Sequence, residues 1–268
     1  MDKRLYQMVK INGVPHRLGF SIFGYSYGGK TAPVIIPQPN LIALYLSISD
    51  KAYTRARDLF DNTIEPSLNY HANSDQFIID NDRSFELIFD LLEEIITSIT
   101  FAYSALEAFA NSLIPHNYRK EEKVKGGKII IDCEFIQRKY DLKKKLKKII
   151  PSVYNFNFEI SHSKTWQDFH KIKHFRDELT HLKQEQYIKT DSGQYASKQL
   201  DFLQSIIGPF LRDNIIACVR EIIQVFVHEI FEHEAFPQEF GGFSFNLEEI
   251  KRKVHSKNIV KTINDKSE

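Results

Sequence analysis

The strongest constraint on the fold is a long apolar repeat in the middle of the chain. Large apolar side chains recur every three or four residues, at Phe85, Ile88, Leu92, Ile95, Ile99, Leu106, Phe109 and Leu113. This is the period of an amphipathic α-helix, and the first proline after it is Pro115. The repeat predicts a helix from Ser84 to Pro115, roughly thirty residues and about 45 Å long. We therefore predict a mainly α fold, a helical bundle with a small N-terminal β element.

Three further helices are predicted after this one, spanning residues 135 to 150, 164 to 186 and 197 to 233. Pro151 is expected to end the first of them, and Gly208-Pro209 to kink or break the last. Near the C-terminus, Asn246 followed by Glu249 has the spacing of a capping box and predicts one more short helix.

The N-terminal region has the pattern of β structure. Apolar and polar residues alternate, and Asn12-Gly13 supplies a hairpin turn. The segment from 40 to 60 fits either a strand plus a helix or a single helix. These patterns predict three parts of the chain: a β-containing region over 1–83, the helical bundle over 84–236, and a C-terminal helix and tail over 237–268.

Composition limits the classes of protein. The net charge is only +1, so total charge gives no argument for nucleic-acid binding. The stretch from 119 to 148 nevertheless holds twelve Lys or Arg against five Asp or Glu, which would attract a polyanion. A solvated lysine-rich helix or loop explains such a run equally well. Two cysteines, no signal segment and no membrane span predict a cytoplasmic protein without a disulfide framework or membrane partner.

The run from Phe169 to Gln184 carries the residues best suited to chemistry. Arg176 and His181 lie in one predicted helix, about 140° apart around its axis. Histidine titrates near neutral pH, and the guanidinium fork binds phosphate oxygens. Asp177 and His181 are four residues apart on one face, so the carboxylate is a candidate to orient the imidazole.

Arg176-Asp177 followed by His181, after a long helix containing Ser104-Ala105-Leu106-Glu107-Ala108-Phe109-Ala110-Asn111, resembles the HEPN superfamily. That resemblance implies a metal-independent endoribonuclease of toxin–antitoxin or phage-defence systems, with Arg176, Asp177 and His181 as catalytic residues and Glu107 and Asn111 in support. It implies RNA as substrate, a homodimer with a composite active site, and an antitoxin or sensor as possible partner. It implies no cofactor and no metal.

Two alternatives remain open from the residues alone. The first is a non-catalytic HEPN module that binds a nucleotide or a protein, with Arg176 held in ion pairs. The second is a metal site. Glu178 and His181 form an E-x-x-H, and Glu159 and His162 form another, as di-iron bundles require. His170 and His174 share a helical stripe with His181, although exposed histidines on a polar helix explain them more simply.

Overall fold

A computed structural model describes residues 9–11, 14–16, 19–37, 40–71, 76–79, 83–124, 127–158, 160, 163–180, 187–189 and 195–230. Its helices are α1 (Leu41–Leu59), α2 (Ser84–Ser112), α3 (Cys133–Lys139), α4 (Leu142–Lys144), α5 (Ile150–Tyr154), α6 (Lys164–Thr180), α7 (Lys198–Asp213) and α8 (Ala217–Ile230). Its strands are β1 (Val9–Ile11), β2 (Val14–His16), β3 (Gly19–Tyr27), β4 (Lys30–Pro37), β5 (Leu68–His71), β6 (Gln76–Ile79), β7 (Arg119–Val124), β8 (Gly127–Asp132), β9 (Tyr187–Lys189) and β10 (Tyr195–Ser197). The predicted mainly α, bundle-type fold with a small β element is confirmed.

The N-terminal region forms antiparallel hairpins. Strand β1 pairs with β2, and β3 pairs with β4. Gly28 and Gly29 supply the left-handed conformations of the β3–β4 turn, with φ of 61° and 76°. The predicted Asn12-Gly13 turn lies outside the described residues. The ambiguous segment that follows is a single helix, α1, because the Asn40 side chain caps it by accepting a hydrogen bond from the amide of Ala43 at 3.2 Å.

Helix α2 matches the prediction from the apolar repeat. It runs from Ser84 to Ser112 and ends three residues before Pro115. Among the described residues no single helix is long and apolar enough to span a membrane; only α7 and α8 taken together, from Asp201, pass that test.

A single helix from 135 to 150 was predicted, ending at Pro151. The structure instead interrupts the helix within this range and continues it beyond Pro151. Helix α3 ends at Lys139, before Tyr140. Asp141 then caps the start of α4, because its carboxylate accepts a hydrogen bond from the amide of Lys144 at 2.8 Å. That helix continues as a π-helical turn over Lys145–Ile149 and passes Pro151 as far as Tyr154. The wider π-turn directly before Pro151 explains why proline does not stop the helix, since the i→i−4 pattern is already interrupted there.

A kink or a break was predicted at Gly208-Pro209. The break is wrong, because α7 continues through both residues, and the kink stays a prediction. Ile206 and Phe210 flank the pair and are fully buried, so packing holds the helix where one backbone bond is lost. The interruption comes instead at Asn214, which takes a left-handed conformation with φ of 45°. Asparagine is among the few residues that adopt this conformation readily.

Three further hairpins occur. The first lies within the β-containing region predicted over 1–83, and the other two lie where no strand was predicted. Strand β5 pairs with β6, β7 with β8, and β9 with β10. The β7–β8 hairpin occupies the first half of the lysine-rich stretch. Its second strand carries Ile129, Ile130 and Ile131, and β-branched residues in a row favour a strand over a helix.

The chain divides into two compact units, each built from separate stretches of sequence. The first unit comprises Met1–Leu44, Glu107–Phe158 and Ile222–Glu268, and the second comprises Tyr45–Leu106 and Glu159–Glu221. This spatial division differs from the sequential parts predicted at residues 83 and 236, which stay predictions.

Aromatic and aliphatic side chains form the core of the first unit. Ile114, Ile131, Cys133, Ile136 and Ile149 make one buried cluster. Elsewhere in this unit Phe226 is surrounded by three rings, with centroid separations of 6.3, 5.6 and 5.7 Å to Phe109, Phe156 and Phe158. Edge-to-face and tilted pairs at these distances add to the stabilisation from apolar burial.

In the second unit, small residues bring α1 and α2 together. Ser49 and Ser98 are fully buried and bond reciprocally. The Ser49 hydroxyl donates to the Ser98 carbonyl at 2.8 Å, and the Ser98 hydroxyl donates to the Ser49 carbonyl at 2.9 Å. Ala52, Ala56 and Ala102 are also fully buried. The two helices are therefore fixed against each other by paired polar groups within an apolar contact.

Candidate functional site

Helix α6 positions the candidate arginine. The Ser163 hydroxyl accepts a hydrogen bond from the amide of Trp166 at 3.2 Å and caps the start of the helix. Its buried apolar residues follow the helical period, at Trp166, Phe169, Ile172 and Phe175. Burial of this stripe fixes the rotation of α6 about its axis. Arg176 and Asp177 follow immediately after the stripe, in the last full turn.

Arg176 is held by an aromatic ring and a carboxylate. Its guanidinium carbon lies 4.7 Å from the centroid of the Tyr103 ring, a cation–π geometry. Its Nη1 donates to Asp177 Oδ1 at 3.0 Å. Tyr103 is buried at 4% exposure, whereas the Arg176 side chain keeps 32% of its surface exposed. The guanidinium is thus oriented by two neighbours and still accessible to a ligand.

Asp177 is shared between two cations. Besides Arg176, Lys173 donates to it from one turn earlier in α6. Burial alone would raise the pKa of Asp177, but the hydrogen bonds from Lys173 and Arg176 lower it below its ordinary value. Asp177 is therefore ionised at neutral pH. The last turns of α6 hold two cations, Lys173 and Arg176, and two carboxylates, Asp177 and Glu178. An anionic ligand would therefore be bound by the donors of the Arg176 guanidinium and not by an excess of charge.

The described part of α6 ends at Thr180, directly before the second motif residue, His181. The Thr180 hydroxyl donates to the carbonyls of Arg176 and Asp177, at 2.9 and 3.1 Å, and so satisfies backbone acceptors in the last turn. His181 comes directly after Thr180 and lies outside the described residues. The predicted contact between Asp177 and His181 stays a prediction, and the described partners of Asp177 are the two cations.

The two predicted supporting residues belong to the first unit. Asn111 Oδ1 accepts a hydrogen bond from Lys145 Nζ at 2.8 Å, and the Gln137 carbonyl accepts another at 2.7 Å. Lys145 is fully buried. Burial lowers the pKa of Lys145, and the charges of Glu107 and Asp141 offset part of that shift. Asn111 and Glu107 thus accommodate a buried ammonium group, a local role that the sequence motif did not indicate.

The histidines considered as metal ligands pack against aromatic rings. His170 lies 5.4 Å from the Trp166 ring centroid, and His174 lies 6.1 Å from that of Phe202. Within the part of the chain that the structure describes, no three His, Cys, Asp or Glu side chains converge as a metal site. Glu159, His162 and His181 of the predicted E-x-x-H pairs fall outside that part.

Sequence reasoning missed two residues around Arg176. Tyr103 precedes Glu107 by four residues on α2, so the spacing that singled out Glu107 and Asn111 also included it. Lys173 precedes Asp177 by four residues on α6, the separation at which helix side chains meet. Both were therefore visible as helix neighbours of predicted residues.

Comparisons with known proteins give no family for the chain. No protein-family model matches it, and no curated protein or solved structure matches it either.

Proposed function

We propose that this protein is a metal-independent endoribonuclease of the HEPN type, acting in the cytoplasm as a toxin or phage-defence effector. The observation that carries the proposal is the setting of Arg176. Its guanidinium rests on the Tyr103 ring and is oriented by Asp177, and 32% of the Arg176 side chain is exposed. The planar guanidinium fork presents donors suited to phosphate oxygens, and Lys173 shares the Asp177 carboxylate with Arg176.

In the proposed reaction the ribose 2′-oxygen attacks the adjacent phosphorus. A new 2′-O–P bond forms as the P–O5′ bond breaks, which gives a 2′,3′-cyclic phosphate and a free 5′-hydroxyl. His181 takes the proton from the 2′-hydroxyl and delivers it to the leaving 5′-oxygen, so the imidazole returns to its starting state. Arg176 stabilises the charge that develops on the phosphoryl oxygens. Each of these roles is expected to contribute a factor of about 10² or more in rate.

The proposal includes a homodimer with a composite site. Their spacing in the sequence predicts Arg176 and His181 about 140° apart if the helix includes both, so one copy is not expected to present both on a single stripe. Two copies related by a two-fold axis bring two such motifs to one cleft. RNA is the proposed substrate, and an antitoxin or sensor protein is the proposed regulator.

The experiment is cleavage of a mixed RNA pool in EDTA by the wild-type chain and by Arg176→Ala and His181→Ala. We expect cleavage by the wild type with 2′,3′-cyclic ends, and a loss of at least about 10²-fold in both variants. Arg220→Ala is the matched control, because Arg220 is another partly exposed arginine of the second unit, paired with Asp50. Equal cleavage by all four proteins contradicts the site, and so does cleavage that requires a divalent metal.

A non-catalytic HEPN module is the second candidate, and the Arg176–Asp177 ion pair is the observation that favours it. In that case the pair serves to bind a nucleotide or a protein rather than to catalyse. The wild type would then bind a short RNA oligonucleotide or a nucleotide without cleaving it, and Arg176→Ala would weaken the binding. Fluorescence anisotropy on the same variants distinguishes the two functions.

A further inference from the structure

The β7–β8 hairpin leaves one edge of β8 without a neighbouring strand among the described residues. Val124 pairs with Gly127 at the closed end, and Arg119 pairs with Asp132 at the open end. The closing pair of such a hairpin exchanges backbone hydrogen bonds, and along the strands bonded pairs alternate with non-bonded pairs. The outward N–H groups of β8 therefore belong to Lys128, Ile130 and Asp132. The outward C=O groups belong to Lys128 and Ile130, because the carbonyl of Asp132, the N-cap of α3, accepts the first bond of that helix.

This edge of β8 is apolar and exposed at its centre. Ile130 is 72% exposed and Ile129 is 40% exposed, whereas Ile131 beside them is buried. An exposed apolar edge strand is a template for pairing with another strand. The outer edge of β7 is different, because its outward residues are all charged: Arg119, Glu121 and Lys123. Charged side chains are a common protection against edge pairing.

We propose that β8 pairs with β8 of a second copy of this chain, antiparallel and centred on Ile130. This register pairs all three outward-facing residues. Ile130 lies opposite the partner's Ile130, and Lys128 lies opposite the partner's Asp132. An apolar pair is then flanked on both sides by pairs of opposite charge, each of which stabilises neighbouring strands.

Charge complementarity favours pairing through the edge of β8, with a second copy of the chain as partner. The same two-fold pairing of β7 places Glu121 opposite the partner's Glu121, and Arg119 opposite the partner's Lys123. These like charges destabilise the contact. The β8 pairing instead is self-complementary, as a two-fold interface requires, because every contact occurs twice.

The pairing converts two hairpins into one four-stranded sheet. A two-stranded hairpin is marginally stable by itself, and additional strands stabilise it. Outward N–H and C=O groups of β8 that face water in one copy gain backbone partners in the pair. The inference rests on the hairpin alone and does not depend on the ribonuclease proposal. A cross-link placed in β8 reports this contact alone, and RNA cleavage reports the proposed active site, so failure of one is distinguishable from failure of the other.

A cysteine cross-link tests the register in the full-length chain. Directly opposed residues of a bonded pair have Cα atoms about 5.5 Å apart, within the range of a disulfide. Ile130→Cys is therefore expected to form a disulfide-linked dimer under mild oxidation. Glu121→Cys is the matched control, because Glu121 is the cross-strand neighbour of Ile130 and is also exposed. Cys133 and Cys218 are both buried. We expect cross-linking of Ile130→Cys to be at least about tenfold faster.

Sedimentation equilibrium tests the charge pairs. Lys128→Glu opposes the partner's Asp132 and is expected to weaken the dimer about tenfold. Lys123→Glu changes the cross-strand neighbour of Lys128 on the other edge and is expected to leave the dimer unchanged. Adding Asp132→Asn to Lys128→Glu is expected to restore part of the affinity, because asparagine still caps α3.

A wild-type monomer at all concentrations overturns the proposal. Equal effects of Lys128→Glu and Lys123→Glu, or equal cross-linking rates, also overturn it.

Discussion

Asp168 is a buried carboxylate in the second turn of α6. Lys164 and Lys171 both donate to it, at 2.5 and 2.9 Å. Burial would raise the pKa of Asp168, but these two hydrogen bonds lower it below its ordinary value. We expect Asp168→Asn to lower the free energy of unfolding by about 1–3 kcal/mol at neutral pH, because charge-assisted bonds at a buried site are lost.

The pH dependence of the Asp168 contribution follows from the direction of its pKa shift. A lowered pKa in the folded state means that the stabilisation is complete above about pH 4 and is lost as the pH falls through the folded pKa. Urea denaturation at pH 7 and at pH 3 measures the difference between wild type and Asp168→Asn, which should shrink at the lower pH. Asp58→Asn, at an exposed position of α1, should change stability by less than about 0.5 kcal/mol. A constant difference at both pH values contradicts this account.

Lys145 presents the opposite case, a buried ammonium whose bonds go to a neutral amide and a carbonyl. We expect Lys145→Met to cost about 1–3 kcal/mol, because Asn111 Oδ1 and the Gln137 carbonyl lose their donor. The pKa of Lys145 is lowered, so the unfolded chain binds more protons between that pKa and about 10.4. The advantage of wild type over Lys145→Met should therefore grow from pH 7 to pH 10 in urea denaturation.

The exposed neighbour Lys147 supplies the control for this measurement. Lys147→Met removes a lysine two positions along the same helix without a buried bond, so its effect should be small and flat with pH. An advantage that stays constant or falls between pH 7 and pH 10 contradicts the assignment of a lowered pKa to Lys145.

At the scale of single residues, the sequence indicates Arg176 and Asp177 because they are adjacent and their side chains suit acid–base and anion chemistry. It does not indicate Tyr103 as the ring beneath Arg176, since that contact joins two helices far apart in sequence. The same reason hides the role of Asn111. A lysine in a charge-rich run normally faces water, whereas Lys145 is buried and bonds to Asn111 of α2 and Gln137 of α3.

Among the elements, the crossing of α1 and α2 depends on side-chain size. We expect Ser98→Ala to cost about 1 kcal/mol, because a buried hydrogen bond is lost. Ser98→Leu should cost about 1–3 kcal/mol or more, because a larger side chain forces the helices apart. Urea denaturation gives both values. Thr54→Leu, at an exposed position of α1, should stay within about 0.5 kcal/mol. If Ser98→Leu is as stable as Ser98→Ala, the close contact is wrong.

Element prediction succeeds where the periodic signal is long and fails where tertiary packing overrides a local rule. Helix α2 carries seven of the eight apolar residues of the repeat; it begins at the predicted Ser84 and ends three residues before Pro115. Proline was expected to end a helix at Pro151 and to kink or break one at Pro209. The helix continues through Pro151 after a π-turn, and α7 continues through Pro209 between buried neighbours. The short hairpins escaped prediction because three to six residues carry too little periodicity to separate strand from helix.

For the whole molecule, the proposed composite site predicts a characteristic response to mixing. When wild type and Arg176→Ala are mixed equally and allowed to exchange subunits, only a quarter of the dimers are wild type by random pairing. Ribonuclease activity should then fall below half of the wild-type value, because mixed dimers lack one arginine of the shared cleft. Mixing without subunit exchange is the control and should give half. Activity of one half after exchange indicates independent sites.

The division into two units is beyond sequence reasoning of this kind. Each unit joins stretches that are distant in sequence, and α2 and α8 each contribute to both. Local patterns identify these helices and their apolar faces, yet they contain no signal for which part of a helix packs with which unit.

The aromatic cluster around Phe226 has a consequence for synthesis. A ribosome releases the chain from its N-terminus, so Phe109, Phe156 and Phe158 emerge well before the ring that fills the space among them. Until α8 has left the exit tunnel, these rings remain without Phe226, exposed to chaperones and to other nascent chains. Translation of α8 therefore sets the earliest moment at which the first unit matures.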